Sequence, residues 1–311
     1  MTYTWRALDV ADTARWSAFT KIVADADDTD ETYSADDLAE ELEDPETDPT
    51  QDTIAVEDAQ ATLVAVGQVM APMVRPDGTI RADFFGFVHP DHRGRGIGTE
   101  LVGRLERRAG ELAAGRHPGS PVQIRTSVGA QLTEARTLLE AHGYHATRYF
   151  HVLTRRLDGV APAEDPRVVP YDAVRDAEVH AAHCEAFSSH WGFAPPGEEM
   201  WRTWVTGSRT FRPTNSVLGI GADGRIEGYL LSFQYQPGEL AIGPLGVLPA
   251  ARGRGLARAM LLRALALAST EYQIAKLDVD SENADGAGRL YESAGFTRVR
   301  SSVFYELRDP A

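Results

Sequence analysis

The sequence predicts two consecutive α/β domains, each a mixed β-sheet flanked by helices. Three observations lead there. The chain has 311 residues, long for one ordinary domain and suited to two of about 150. A glycine- and arginine-rich segment occurs twice, as Val88-His89-Pro90-Asp91-His92-Arg93-Gly94-Arg95-Gly96-Ile97-Gly98 and as Val247-Leu248-Pro249-Ala250-Ala251-Arg252-Gly253-Arg254-Gly255-Leu256-Ala257, with identical spacing from valine to arginine. Each copy follows a strand-like apolar run and opens a helix-like apolar segment, so the repeat is structural as well as textual.

Tyr3 to Leu8 reads as a first strand, followed by helical segments. Asp25 to Asp52 is acidic and contains no lysine or arginine. Within it Ser34-Ala35-Asp36-Asp37 has the form of a helix-start capping arrangement, Leu38 and Leu42 supply one apolar face, and Pro45 and Pro49 end the pattern, which predicts a short amphipathic helix. Strand-like runs follow at Thr53 to Val56 and Leu63 to Met70; Pro76-Asp77-Gly78 is a turn, and Ile80 to Val88 leads into the first glycine loop. Next come a helix from Gly98 to Ala113, a strand over Val122 to Val128, a helix over Thr133 to Ala141, and Ala146 to Leu157 as the strand that closes the first domain. Asp158 to Pro166, rich in proline, alanine and acidic residues, is the expected linker. The expected bounds are therefore 1–157, 158–166 and 167–311. The second half repeats the order, with Arg167 to Pro170, helices through Val205, strands at Ser216 to Ile220 and Gly228 to Gln236 joined by an Asp223-Gly224 hairpin turn, and Glu239 to Val247 entering the second loop.

The formal net charge of −15 argues against a general binder of nucleic acid or anionic membrane. Positive charge gathers instead around the two loops, at Arg93, Arg95 and Arg104 and at Arg252, Arg254 and Arg258. Cys184 is the single cysteine, which excludes an intramolecular disulfide and a multi-cysteine metal site and makes a reducing cytoplasm the expected setting. No signal-sequence pattern is read at the N-terminus, and the apolar stretch Leu256 to Ala268 is interrupted by Arg258 and Arg263, so no membrane span is expected. His183 and His190 lack partners at metal-ligand spacing, and no metal site is predicted.

In each loop small residues let backbone N–H groups approach phosphate oxygens, and the helix that follows adds its N-terminal partial positive charge. A pyrophosphate fits such a cradle. With that chemistry in view, the residues resemble the GNAT family of acyl-CoA-dependent N-acyltransferases, whose signature is Arg/Gln-x-x-Gly-x-Gly/Ala. Arg93, Gly96 and Gly98 match it, as do Arg252, Gly255 and Ala257. Leu277-Asp278-Val279-Asp280-Ser281-Glu282-Asn283 and Leu290-Tyr291-Glu292-Ser293-Ala294-Gly295-Phe296 look like that family's fifth strand and fourth helix. The resemblance implies a sheet splayed between its fourth and fifth strands with acetyl-CoA lying in the opening, Val88 and residues 93–98 holding it in one half and Val247 and residues 252–257 in the other.

The resemblance further implies roles for single residues. Tyr291, four before Gly295-Phe296, corresponds to the tyrosine that protonates the departing thiolate, a general-acid contribution of about 10² to 10⁴ in rate. The matching position before Gly143-Tyr144 is Leu139, which has no exchangeable proton, so the first half is expected to be degenerate and the second catalytic. Backbone groups of Leu245 and Val247 are expected to hold the pantetheine arm, with the Val247 N–H polarising the thioester carbonyl. Gly243-Pro244 suits a bulge in that strand. Asn283 is either a coenzyme A contact or a turn former, and it stands one residue further from Tyr291 than the family spacing. The general base stays open: the strand position where many relatives carry glutamate is Ala241, leaving Glu239 through a water chain, or His190.

Acceptors in this family bind against the first two helices, which places His190 and Trp191 at the expected acceptor site. The acceptor is expected to be the primary amine of a small molecule. The double arrangement also resembles the mycothiol synthases, which acetylate a cysteinyl amino-sugar, although Ala241 departs from their acidic residue. A coenzyme A-binding regulatory protein without turnover is the alternative from another class.

Overall fold

The computed structural model describes residues 2–29, 31–282 and 286–308. Its contacts divide the chain into one unit of residues 1–149 with 302–311 and a second of residues 150–301.

In the first unit β1 (Thr4–Arg6), β2 (Thr53–Glu57), β3 (Leu63–Val69) and β5 (Ile80–Val88) pair antiparallel in that order, with the short β4 (Met73–Val74) on β5, and β6 (Val122–Gly129) runs parallel to β5. Helices α1 (Thr13–Asp27) and α2 (Ala35–Leu42) cover one face, where Trp16, Phe19, Val23, Leu38 and Leu42 are buried. The capping arrangement read at Ser34 is present, with the Ser34 hydroxyl accepting from the Asp37 N–H and the Asp37 carboxylate accepting from the Ser34 N–H. That cap contributes about 1 kcal/mol to helix stability. After the short α3 (Pro49–Asp52), helices α4 (Ile97–Arg116) and α5 (Thr133–Ala141) cover the opposite face, placing Ile97, Leu101, Leu105 and Leu139 against Ile80, Ala82 and Ile124.

The second unit repeats the plan. β8 (Val168–Pro170), β9 (Val217–Ile220), β10 (Ile226–Phe233) and β11 (Glu239–Val247) are antiparallel, and β12 (Ile274–Asp280) is parallel to β11. Helix α6 (Asp176–Phe187) packs on one face; α7 (Glu198–Trp201) continues into a π-helical turn over Arg202–Thr206. Helices α8 (Leu256–Ala268) and α9 (Ala287–Ser293) pack on the other, with Met260, Leu261, Leu265 and Tyr291 in its core.

The closing strands differ from expectation. Phe150–Arg156, within β7 (His145–Arg156), pair antiparallel with β12 of the second unit, and Ser302–Arg308, within β13 (Thr297–Arg308), pair antiparallel with β6 of the first. The strand assigned from sequence to close the first domain thus completes the second sheet. The reason is burial: Leu153 and Leu157 belong to the core built on α8, whereas Val303 and Tyr305 fill the core built on α4. The contact division accordingly falls at 149/150 and 301/302 rather than around a 158–166 linker.

Candidate active site

Each sheet opens where its glycine loop follows. β5 and β6 pair only from Ile80 with Val122 to Asp83 with Arg125, and β11 and β12 only from Glu239 with Ile274 to Ala241 with Lys276. Beyond those pairs the strands diverge, as the sequence resemblance implied. In the first unit the opening is a cavity of about 530 Å³, lined by Val88, Gly94, Gly96, Val128, Leu138 and Leu139 among others. That volume lies within the range of small-molecule and cofactor sites.

The loops have matching backbones. Gly96 has φ +83° and Gly255 φ +75°, and each precedes the first residue of a long helix, Ile97 or Leu256. A Cβ at either glycine would meet nothing within 4 Å, so the left-handed backbone rather than crowding is what selects glycine there. The first-turn N–H groups of α4 and α8 lack intrahelical partners and face the loop, which suits the diphosphate of coenzyme A. The loop arginines brace this geometry. Arg93 donates to the Val88 carbonyl at 3.1 Å and to both carboxylate oxygens of Asp27 at 2.7 and 2.8 Å. Arg252 donates to the Val247 carbonyl at 3.2 Å and to the Ala186 carbonyl at 3.0 Å, tying the loop to the end of α6. Arg254 donates to the Ala250 carbonyl at 2.7 Å. These bonds leave the loops of residues 94–98 and 253–257 at the start of α4 and α8, where the sequence placed the expected diphosphate contacts.

The two units differ at the loop strand and at the helix that follows the opening. The loop strand of the second unit is bulged: Leu230 pairs with Leu245 but Ser232 with Ile242, an extra residue at Gly243-Pro244. The β3–β5 register in the first unit is regular. Tyr291 on α9 is 8 % exposed, its ring edge-on to Phe296 at 6.0 Å between centroids, and burial pushes its phenol up to about 12. It therefore stays protonated at neutral pH. Leu139, its counterpart on α5, is buried and borders the first cavity. Asn283 lies outside the described residues.

On the opposite face Tyr229 stands directly across from Gly246, and a Cβ at Gly246 would lie 2.5 Å from its ring. The missing side chain lets the phenol lie against Gly246 on the α6 side of β11. The Tyr229 hydroxyl is 2.6 Å from Nδ1 of His183 on α6. Phe187, Phe193 and Trp201 surround that imidazole with centroids at 4.9, 5.5 and 5.1 Å. Burial, then the neighbouring His180, hold His183 down at about 4, and burial holds the Tyr229 phenol well above its ordinary value. Sequence reasoning passed over this pair; Gly246 was its one legible trace. The expected acceptor residues sit nearby on the chain: His190 is half-buried beside Phe187 at 5.4 Å, and Trp191 packs near Phe150 at 6.2 Å. Glu239, at the far end of β11, is about 20 Å from Gly246 at a strand rise of about 3.3 Å per residue.

Two stability predictions arise from this packing. Gly246→Ala is expected to destabilise the protein by about 1–3 kcal/mol, the usual cost of overpacking, read from urea unfolding. His183 has an ordinary value of 6.5 and a folded value of about 4, so between those pH values the unfolded chain holds a proton that the folded one does not. Stability therefore falls as pH drops through that window, and His183→Gln is expected to flatten the fall in calorimetric unfolding temperature.

Comparison with known proteins supplies the family. The model of the acetyltransferase (GNAT) family matches residues 14–117 and 177–296. The chain belongs to that family. The mycothiol acetyltransferase of Thermobispora bispora is 32% identical over 232 residues, covering 70% of this chain and 73% of its own length, and that of Kineococcus radiotolerans is 30% identical over 246 residues, covering 74% and 75%. Among solved structures, a GCN5-related N-acetyltransferase from Sphaerobacter thermophilus superposes with TM-score 0.79 at 26% identity over 98% of this chain and 95% of its own. A tandem GNAT protein from the clavulanic acid biosynthesis pathway shares the fold over the whole of both chains, with TM-score 0.71 at 17% identity. The protein is an N-acetyltransferase of GNAT type, with acetyl-CoA as its donor. Among the described residues no helix is long and apolar enough to cross a membrane, and no group of three His, Cys, Asp or Glu side chains could hold a metal ion.

Proposed function

We propose that the second unit transfers the acetyl group of acetyl-CoA to the primary amine of a small molecule by direct attack, and that the first unit holds coenzyme A without turnover. One observation carries the division of labour: the corresponding positions on α9 and α5 are Tyr291 and Leu139. A phenol gives a proton to a departing thiolate, and a leucine does not. The bulged strand, with Leu245 and Val247 beside the opening, is the proposed track for the pantetheine arm, and the residues from α6 to Trp191 are the proposed acceptor wall.

The relatives named mycothiol acetyltransferase, near 30% identity over about 70% of this chain, favour the amine of a cysteinyl amino-sugar over an unrelated amine. Ala241 marks a departure in how that acceptor is handled. The test is release of free thiol from acetyl-CoA with a panel of amines that includes cysteinyl-glucosamine, glucosamine and tryptamine. Cysteinyl-glucosamine is expected to be preferred by kcat/KM. Acetyl-CoA binding with no transfer to any of them would instead favour a non-catalytic coenzyme A-binding protein.

A further inference from the structure

Amide formation strips a proton from the attacking nitrogen, and the second unit must supply somewhere for it to go. On the α6 face of β11, Ala241 offers nothing and Glu239 is about 20 Å from Gly246 along the strand. The groups that face the segment between the bulge and the loop are His183 and Tyr229, with His180 and Cys184 behind them and His190 beyond Phe187. His180 is engaged at Nε2 with the Pro196 carbonyl at 2.8 Å and lies 3.6 Å from the Cys184 sulfur. His183 differs: Nδ1 is held by Tyr229, and among the described residues Nε2 makes no hydrogen bond. Aromatic rings fix the imidazole plane, and Arg252 anchors α6 one turn further on through Ala186.

The first unit is an internal control. Its helix α1, at the place of α6, contains no histidine, and its strand pairs Val66 with Phe87 where the second pairs Tyr229 with Gly246. The copy without the tyrosine acid thus also lacks the imidazole, the hydroxyl and the glycine that admits it.

We propose that His183 is the base of the acetyl transfer and that Tyr229 positions it. The proposal rests on the reading that the second unit is the transferring one. With Nδ1–H donating to the Tyr229 oxygen, Nε2 keeps its lone pair toward the acceptor, which binds as the neutral amine. His183 Nε2 takes the N–H proton as the N–C bond forms, and Tyr291 gives its phenolic proton to the sulfur that leaves with the electron pair of the C–S bond. The imidazolium then loses a proton to solvent and the phenolate regains one.

The test joins kinetics to two readouts that need no turnover. In His183→Gln, kcat with the amine panel is expected to fall about 100-fold, while calorimetric affinity for acetyl-CoA stays within about twofold. Added imidazole is expected to restore part of the activity of His183→Ala. Nitrogen-15 NMR of the protein without acetyl-CoA is expected to show His183 protonated at Nδ1, a state lost in Tyr229→Phe. A folded His183→Gln within about threefold of wild-type kcat, a folded His183→Ala that imidazole does not rescue, or an Nε2-protonated His183 would each overturn the proposal and leave the transfer reading standing. Wild-type protein that acetylates none of the amines would overturn the transfer reading, and the base with it.

Discussion

Tyr291→Phe is expected to lower kcat for acetyl transfer by roughly 10²- to 10⁴-fold, the range that one positioned acid contributes. The side chain is buried against Phe296 in the α8 core, and phenylalanine fills the same space, so the fold and the diphosphate cradle are unchanged. What is lost is the O–H that burial keeps protonated, its value pushed up to about 12. The loss falls on kcat and kcat/KM together, the signature of an interaction made in the transition state. Steady-state kinetics at varied acetyl-CoA, with binding measured by calorimetry, separates this from a packing defect. An unchanged kcat would remove Tyr291 from the chemistry.

Gly255→Glu is expected to abolish acetyl-CoA binding in the second unit, and Gly96→Glu in the first. Each glycine sits at positive φ immediately before its helix. An L-residue there costs about 1–2 kcal/mol from backbone strain alone. The larger expected effect is electrostatic, because the substitution puts a carboxylate at the proposed diphosphate site beside the helix N-terminus. Wild-type protein is expected to show two binding events in a calorimetric titration, each variant losing one, with circular dichroism confirming the fold.

The parts of the site that depend on local sequence were legible. Ser34 and Asp37 cap α2 because their spacing satisfies two orphan N–H groups; the glycine loops declare their backbone because glycine alone tolerates it cheaply; and Gly243-Pro244 breaks the ladder where a bulge is found. Partner choice at long range was not legible. The strands around Leu153 and Val303 both carry apolar residues fit for burial, and nothing local says which core receives which strand. The His183–Tyr229 contact joins residues 46 apart in sequence, and neither belongs to a spacing that marks a catalytic pair. Only Gly246 recorded the close approach, and a glycine in a strand has several structural meanings.

Acetyl transfer is assigned to the second unit, whose loop the first unit duplicates. The two are told apart by transfer of radiolabelled acetyl from acetyl-CoA to cysteinyl-glucosamine by Gly96→Glu and Gly255→Glu proteins of confirmed fold. Turnover retained in Gly96→Glu and lost in Gly255→Glu is the predicted result. Turnover lost in Gly96→Glu and retained in Gly255→Glu would contradict it and place the chemistry in the first unit.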